Sequence, residues 1–259
     1  MLAVFEYIGS AIIKCLEFFG SLFILLGQCL KWIGKGAVRF KLTIQQMSHL
    51  GVDSLLIVVL TTTSAGMVIS LQLASLAVQY GITNMVGGGV ALAMARELAP
   101  MLTAVVVAGR AGSAIAAELG TMKVTEQISA LTCMAVSPVR YLVVPRFLAL
   151  TLMLPLLTLF SLIAGTSGGA MIAFSSAGIP YEVFNDSIVR FLEMRDIYCM
   201  TLKALVFGAE VSLIACFEGI NTGRGAAGVG TATTTSVVYA TIIIFITNYL
   251  MSMWLWPVS

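Results

Sequence analysis

Residues 85–108 read MVGGGVALAMARELAPMLTAVVVA, an apolar stretch broken by one adjacent pair of charges, Arg96-Glu97, and one proline, Pro100. A bilayer core about 30 Å thick needs about 20 mostly apolar residues in a helix, and this stretch supplies them. The charges are the anomaly, because an ionised side chain at mid-bilayer costs at least about 2.5–3.5 kcal/mol. Neighbours on a helix project roughly 100° apart, so Arg96 and Glu97 are poorly placed to pair with each other. Pro100 has no N–H, and the carbonyl of residue 96 therefore loses its helical donor. A buried cation beside an orphaned carbonyl predicts a lined cavity rather than a wall facing lipid.

Working outward, four more stretches are long and apolar enough to span: Leu55–Ala77, Val143–Phe174, Ile197–Ile220 and Ser236–Trp256. The second of these is overlong and must tilt, kink at Pro155 or project past the membrane. Composition agrees, with 59% hydrophobic and 10% charged residues and a mean hydropathy of +1.02, against about 25% charged in soluble domains. The segment Leu2–Ile33 differs, carrying Glu6, Lys14, Glu17, Gln28 and Lys31 among its apolar residues. Its unbroken apolar run, Phe18–Leu26, is too short to cross, which predicts an amphipathic helix in the interface. A sixth span is the competing reading. The chain is thus read as an all-α integral membrane protein: an N-terminal amphipathic interfacial helix and basic elbow over residues 1–48, then five transmembrane helices over 49–259.

Basic residues set the orientation. With the N-terminus cytoplasmic, Lys14, Lys31, Lys35, Arg39, Lys41, Arg110, Lys123, Arg140, Arg146 and Arg224 fall on the cytoplasmic side, and only Arg190 and Arg195 fall outside. The C-terminus is then extracytoplasmic, with Trp254 and Trp256 suited to an interfacial aromatic belt. The loop Ser175–Asp196 is the one long outer connection, with a short helix expected over Tyr181–Leu192. The early charges and the lack of a small-residue cleavage site argue against a signal peptide.

Several activities are excluded. The sequence has no G-x-x-x-x-G-K-[ST] loop for ATP, so ATP and magnesium belong to a partner if they are used at all. Gly165-Thr166-Ser167-Gly168-Gly169 fits a nucleophile elbow by pattern, yet it lies inside a span and the single histidine, His49, precedes it. Small residues for close helix packing are the better reading, and Gly109, Gly112, Ser113, Ala116 and Ala117 form a second such face. The five cysteines, Cys15, Cys29, Cys133, Cys199 and Cys216, are scattered and suggest neither a metal site nor disulfides. A net charge of +2 gives no reason to expect nucleic acid.

Asp196, Lys203 and Glu210 are spaced by seven and share a helix face, with Lys203 about 10 Å below Asp196. Arg96 and Lys203 together offer donors to the phosphate of an anionic headgroup. A structural ion-pair network is an equal reading, and a proton relay in a secondary transporter is the rival function. Between the second and third spans, residues 118–138 hold a short helix expected over Thr125–Leu131 and stopped before Pro138, suited to a cleft in a soluble partner or to a corner packed on its own protein.

Three runs carry a resemblance: Ala95-Arg96-Glu97-Leu98-Ala99-Pro100; Ala108-Gly109-Arg110-Ala111-Gly112-Ser113-Ala114; and Ala117-Glu118-Leu119-Gly120-Thr121-Met122 followed by Thr125-Glu126-Gln127-Ile128. With Tyr141-Leu142-Val143-Val144-Pro145-Arg146 and Gly223–Thr235, they resemble the MlaE-type ABC transporter permeases from about Leu50 onward. These include the permease of the bacterial system for outer-membrane lipid asymmetry and that of the plastid lipid importer. The resemblance implies a homodimeric phospholipid permease of the bacterial inner membrane, or alternatively of the plastid inner envelope. Cytoplasmic ATPase subunits would bind beneath and a ring of MCE-domain proteins outside. It implies a lipid cavity between subunits involving Arg96, Glu97, Lys203, Leu71, Gln72 and Asn248. Asn248 stands where some relatives carry an acid, and Glu210 matches no family role. The connector is implied to be a coupling helix, with Glu118, Met122, Thr125, Glu126 and Gln127 meeting the ATPase. No cofactor or metal is implied for this chain, and no catalytic residue.

Overall fold

A computed structural model of the chain describes residues 2–36 and 39–256. The side chains of Glu6, Lys14 and Cys15 lie outside the described residues. Every element among the described residues is helical: α1 (Leu2–Gly34), α2 (Phe40–Tyr80), α3 (Thr83–Val124), α4 (Gln127–Cys133), α5 (Val139–Ala177), α6 (Tyr181–Phe191), α7 (Met194–Ile220) and α8 (Gly225–Leu255).

Six stretches, Leu16–Gly34 and the whole of α2, α3, α5, α7 and α8, are long and apolar enough to cross a membrane. The five spans read from sequence are all present, and most are longer than hydropathy suggests. α2 begins at Phe40 and α3 runs on to Val124, because polar residues at span ends keep the helix while leaving the hydrocarbon. α1 is one continuous helix of 33 residues, so its polar residues mark faces of a helix rather than breaks in it. Pro155 sits inside α5 without ending it. At about 1.5 Å per residue, a helix of 39 residues exceeds the bilayer core.

α5 is the central post, packed against α2, α3 and α7, while α8 lies on α7 and α3, and α1 runs along the edge against α5 and α7. The closest approach is between α2 and α5. A Cβ on Gly66 would lie 2.0 Å from the Gly165 carbonyl oxygen, and the Ser70 hydroxyl donates to the Gly169 carbonyl at 2.7 Å. The glycines of the elbow-like pattern therefore pack helices, as expected. Gly109 differs, since a Cβ there would meet nothing within 4 Å, and it makes no close helix contact within the chain.

α6 forms over almost the range expected and lies on the start of α3. Phe184 is buried, its carbonyl oxygen would be 2.1 Å from a Cβ on Gly87, and the Ser187 hydroxyl accepts from the Gly88 N–H at 2.9 Å. Outward, α2 and α8 expose apolar side chains, among them Leu60, Leu71, Ile242, Phe245 and Leu250. Such faces suit lipid or another apolar surface, not water.

Candidate functional site

The site begins with a defect in α3. Residues Met94–Leu98 form a single π turn immediately before Pro100, and π turns inside helices are common at functional positions. The carbonyl of Arg96, left without a donor by Pro100, accepts instead from the Lys203 ammonium of α7 at 2.7 Å. The wide turn sends its two charged side chains apart. Arg96 goes to Asp196 at the head of α7, with Nε 2.8 Å from Oδ1. Glu97 goes to Lys203, Asn248 and Ser252.

Lys203 is completely buried (0% exposed). Besides the Arg96 carbonyl, its ammonium reaches Glu97 Oε1 at 3.2 Å, Asn248 Oδ1 at 3.2 Å and Ser252 Oγ at 2.7 Å. An ammonium has three protons, so four protein acceptors leave nothing over for a ligand. The Asn248 amide bridges the pair, accepting from Lys203 and donating to Glu97 Oε2 at 2.7 Å. An asparagine therefore does here what an acid could not, offering both a donor and an acceptor. Lys203 is thus part of the ion network that the sequence reading set beside the headgroup reading.

Arg96 is different. Its side chain is 39% exposed, and beyond the bond from Nε, its terminal amino groups have no protein partner among the described residues. Its guanidinium carbon lies 5.3 Å from the centre of the Trp256 ring, whose Nε1 donates to the same Asp196 oxygen at 3.1 Å. Asp196 also caps α7 by accepting from the Glu193 N–H at 3.3 Å. Arg96 is thereby held in place from one edge while the other faces an open cleft of about 580 Å³. Leu92, Ala93, Glu97, Tyr249, Ser252 and Met253 line that cleft with Arg96 and Trp256.

The structure brings Arg96, Glu97, Lys203 and Asn248 together. Leu71 and Gln72 lie on the exposed face of α2 and do not line this cleft. Three residues tied into this network by hydrogen bonds are not among the site residues read from sequence: Asp196, Ser252 and Trp256. The first was visible as the head of the Asp196–Lys203 heptad, and Ser252 follows Asn248 by one helical turn. Trp256 carried only an interfacial signal, which its exposed neighbour Trp254 fits. Glu210 stands apart beside an apolar groove against α1, one oxygen accepting from Thr247 at 2.7 Å and the other buried with no partner among the described residues.

At the far end of α3, Glu118 Oε2 pairs with the nearly buried Arg146 at 2.8 Å. Thr125 ends α3 rather than starting the next helix, its hydroxyl donating to the Thr121 carbonyl at 2.8 Å. Glu126 takes the left-handed conformation at φ 59° and turns the chain, so the short helix begins at Gln127 and ends at Cys133. Met122 is half-buried and Ile128 buried, while Thr125, Glu126 and Gln127 are exposed.

Residues 43–254 match the family of the permease MlaE. A probable ABC transporter permease of Synechocystis is 45% identical over 233 residues, covering 90% of this chain and 88% of the relative. The chloroplastic protein Trigalactosyldiacylglycerol 1 of Arabidopsis thaliana is 41% identical over 229 residues, 88% of this chain and 65% of that protein. A probable ABC transporter permease of Rickettsia typhi is 35% identical over 252 residues, 97% of both chains.

Proposed function

From the premise that this chain belongs to the MlaE permease family and is an ABC-type, multi-pass membrane permease, we propose that it carries phospholipid, its headgroup phosphate held by Arg96. One observation carries this reading: a stacked, edge-held guanidinium whose remaining donors face an open cleft with apolar walls. A guanidinium edge matches phosphate oxygens in a way a point charge does not. The relative named for a galactolipid supports a lipid cargo. Lys203, Glu97 and Asn248 set the shape of α3, α7 and α8 around Arg96 rather than touching cargo.

The cleft is open on one side, and the exposed apolar face of α8 beside it suits a second copy. In this reading two chains close the cavity between them, and Leu71 and Gln72 reach it only in that assembly. Cytoplasmic ATPase subunits bind ATP and magnesium, and α4 with Glu118, Met122, Thr125, Glu126 and Gln127 carries their motion to α3. An MCE-domain ring receives or delivers lipid on the outer face. The N-terminus lies in the cytoplasm and the C-terminus outside a bacterial inner membrane, with α1 in the interface. ATP-driven closure narrows the cavity, and the lipid loses its walls and its cation together.

Mass spectrometry of the complex purified from native membranes tests this. Stoichiometric ATPase subunits and co-purifying phospholipid, lost in Arg96→Ala, are expected. A lone chain driving proton-coupled flux with no bound lipid would overturn it.

A further inference from the structure

Three cations converge on two aromatic rings where α1 ends. The guanidinium carbon of Arg39 lies 4.5 Å from the centre of the Tyr141 ring, and that of Arg140 lies 5.4 Å from the Trp32 ring. The Lys35 ammonium is 5.5 Å from the same Trp32 ring. Trp32, Arg39, Ser137, Arg140 and Tyr141 line a cleft of about 310 Å³. It is built from three separate pieces of chain: the end of α1, the residue before α2, and the connector after α4 with the start of α5.

Nothing among the described residues neutralises this charge. Among the described residues no carboxylate lies within ion-pair distance of Lys35, Arg39 or Arg140, and none of the three side chains donates a hydrogen bond. Arg110 and Arg146, in the same half of the molecule, each have an acid: Asp53 at 3.5 Å and Glu118 at 2.8 Å. A guanidinium stacked on a ring spends its face and keeps its N–H edge. Two such edges on one cleft, with an ammonium beside them, present donors suited to the oxygens of a phosphate.

Position decides where that phosphate comes from. The cleft lies at the ends of long apolar helices, and tryptophan and tyrosine favour headgroup depth. Exposed apolar side chains flank it, Leu30 on α1 and Phe40 and Ile44 on α2, where acyl chains would run. We infer that this cleft binds the headgroup phosphate of an anionic phospholipid in the adjoining leaflet, at a site separate from the Arg96 cleft. A lipid bound there bridges α1 to the segment that follows α4.

The test is native mass spectrometry of the full-length chain in mild detergent, titrated separately with phosphatidylglycerol and phosphatidylcholine. A saturable phosphatidylglycerol site is expected, weakened at least tenfold in Arg39→Gln/Arg140→Gln and unchanged in Arg190→Gln. The Arg39→Lys/Arg140→Lys variant keeps the charge but not the fork, and should fall between; it also serves if the glutamine pair does not fold. Undiminished phosphatidylglycerol binding in a folded glutamine or lysine variant would overturn the site. So would displacement of the lipid by equimolar inorganic phosphate, which would mark a free-anion site. Loss of a co-purifying ATPase with lipid binding intact would mark a protein contact instead, and equally overturn it.

Discussion

The Lys203 ammonium lies 2.7 Å from the carbonyl oxygen of Arg96, the acceptor that Pro100 strips of its helical donor. The lysine thus repairs a backbone defect while neutralising Glu97, which explains how a fully buried cation is tolerated. Removing it alone leaves a carboxylate and a carbonyl without their cation, and breaking such a pair costs about 3–5 kcal/mol when buried. Glu97 is part-exposed, with 41% of its side chain open, so Lys203→Met should fall at or below the low end of that range. Lys203→Met with Glu97→Gln should recover most of the loss, as measured by thermal unfolding in detergent. Equal destabilisation in the single and double variants would refute the neutralisation and place the whole loss at the unserved carbonyl.

Arg96 should behave in the opposite way. Its pair with Asp196 is part-exposed, and Asp196 keeps the Trp256 indole and the Glu193 N–H as donors. Arg96→Ala should therefore cost only about 1 kcal/mol of stability while abolishing retained phospholipid. Arg96→Lys keeps the charge but loses the planar stack on Trp256, and should retain lipid weakly. Lipid counted by mass spectrometry against the melting temperature separates the two effects.

Close packing of α2 on α5 gives a second contrast. A methyl on Gly66 would meet backbone, 2.0 Å from the Gly165 carbonyl oxygen, whereas one on Gly112 would rest 3.4 Å from a Val211 methyl. Gly66→Ala must force the helices apart and should lower folded yield severely, while Gly112→Ala should leave yield and melting temperature near wild type. Fluorescence-detected size exclusion of both variants decides it.

The spans were legible because hydrocarbon demands length and apolarity, and those are properties of composition. The defect at Arg96–Pro100 was legible too, since a missing N–H is written into the proline itself. The partner of the orphaned carbonyl was not, because it lies 107 positions away and only the packing of α7 on α3 brings it near. For the same reason Lys203 reads in sequence as a cation available for cargo, and its three further acceptors appear only in three dimensions. The start of α4 was misplaced by two residues because a glutamate at positive φ leaves no sequence signal where glycine would.

Glu118 and Glu126 both belong to the connector, yet their surroundings differ enough to separate stability from coupling. Arg146 is 8% exposed, donates from Nη1 to the Leu142 carbonyl at 2.9 Å and has Glu118 as its only carboxylate among the described residues. Glu118→Ala leaves that guanidinium nearly buried and unneutralised, and with water still reaching the part-exposed Glu118 position the cost should be about 2 kcal/mol. Glu118→Gln retains an acceptor and should lose less. Glu126 sits at φ 59°, where glycine is strain-free and a side chain costs about 1 kcal/mol or more; among the described residues its side chain makes one hydrogen bond, accepted from the Ser129 hydroxyl. Glu126→Gly should therefore hold or raise the melting temperature. If α4 transmits motion from an ATPase, the glycine also loosens the turn joining α4 to α3. Lipid-stimulated ATP hydrolysis should then fall several-fold in a complex that melts no lower than wild type. Unchanged stimulation in Glu126→Gly, with the complex intact, would remove α4 from the coupling path.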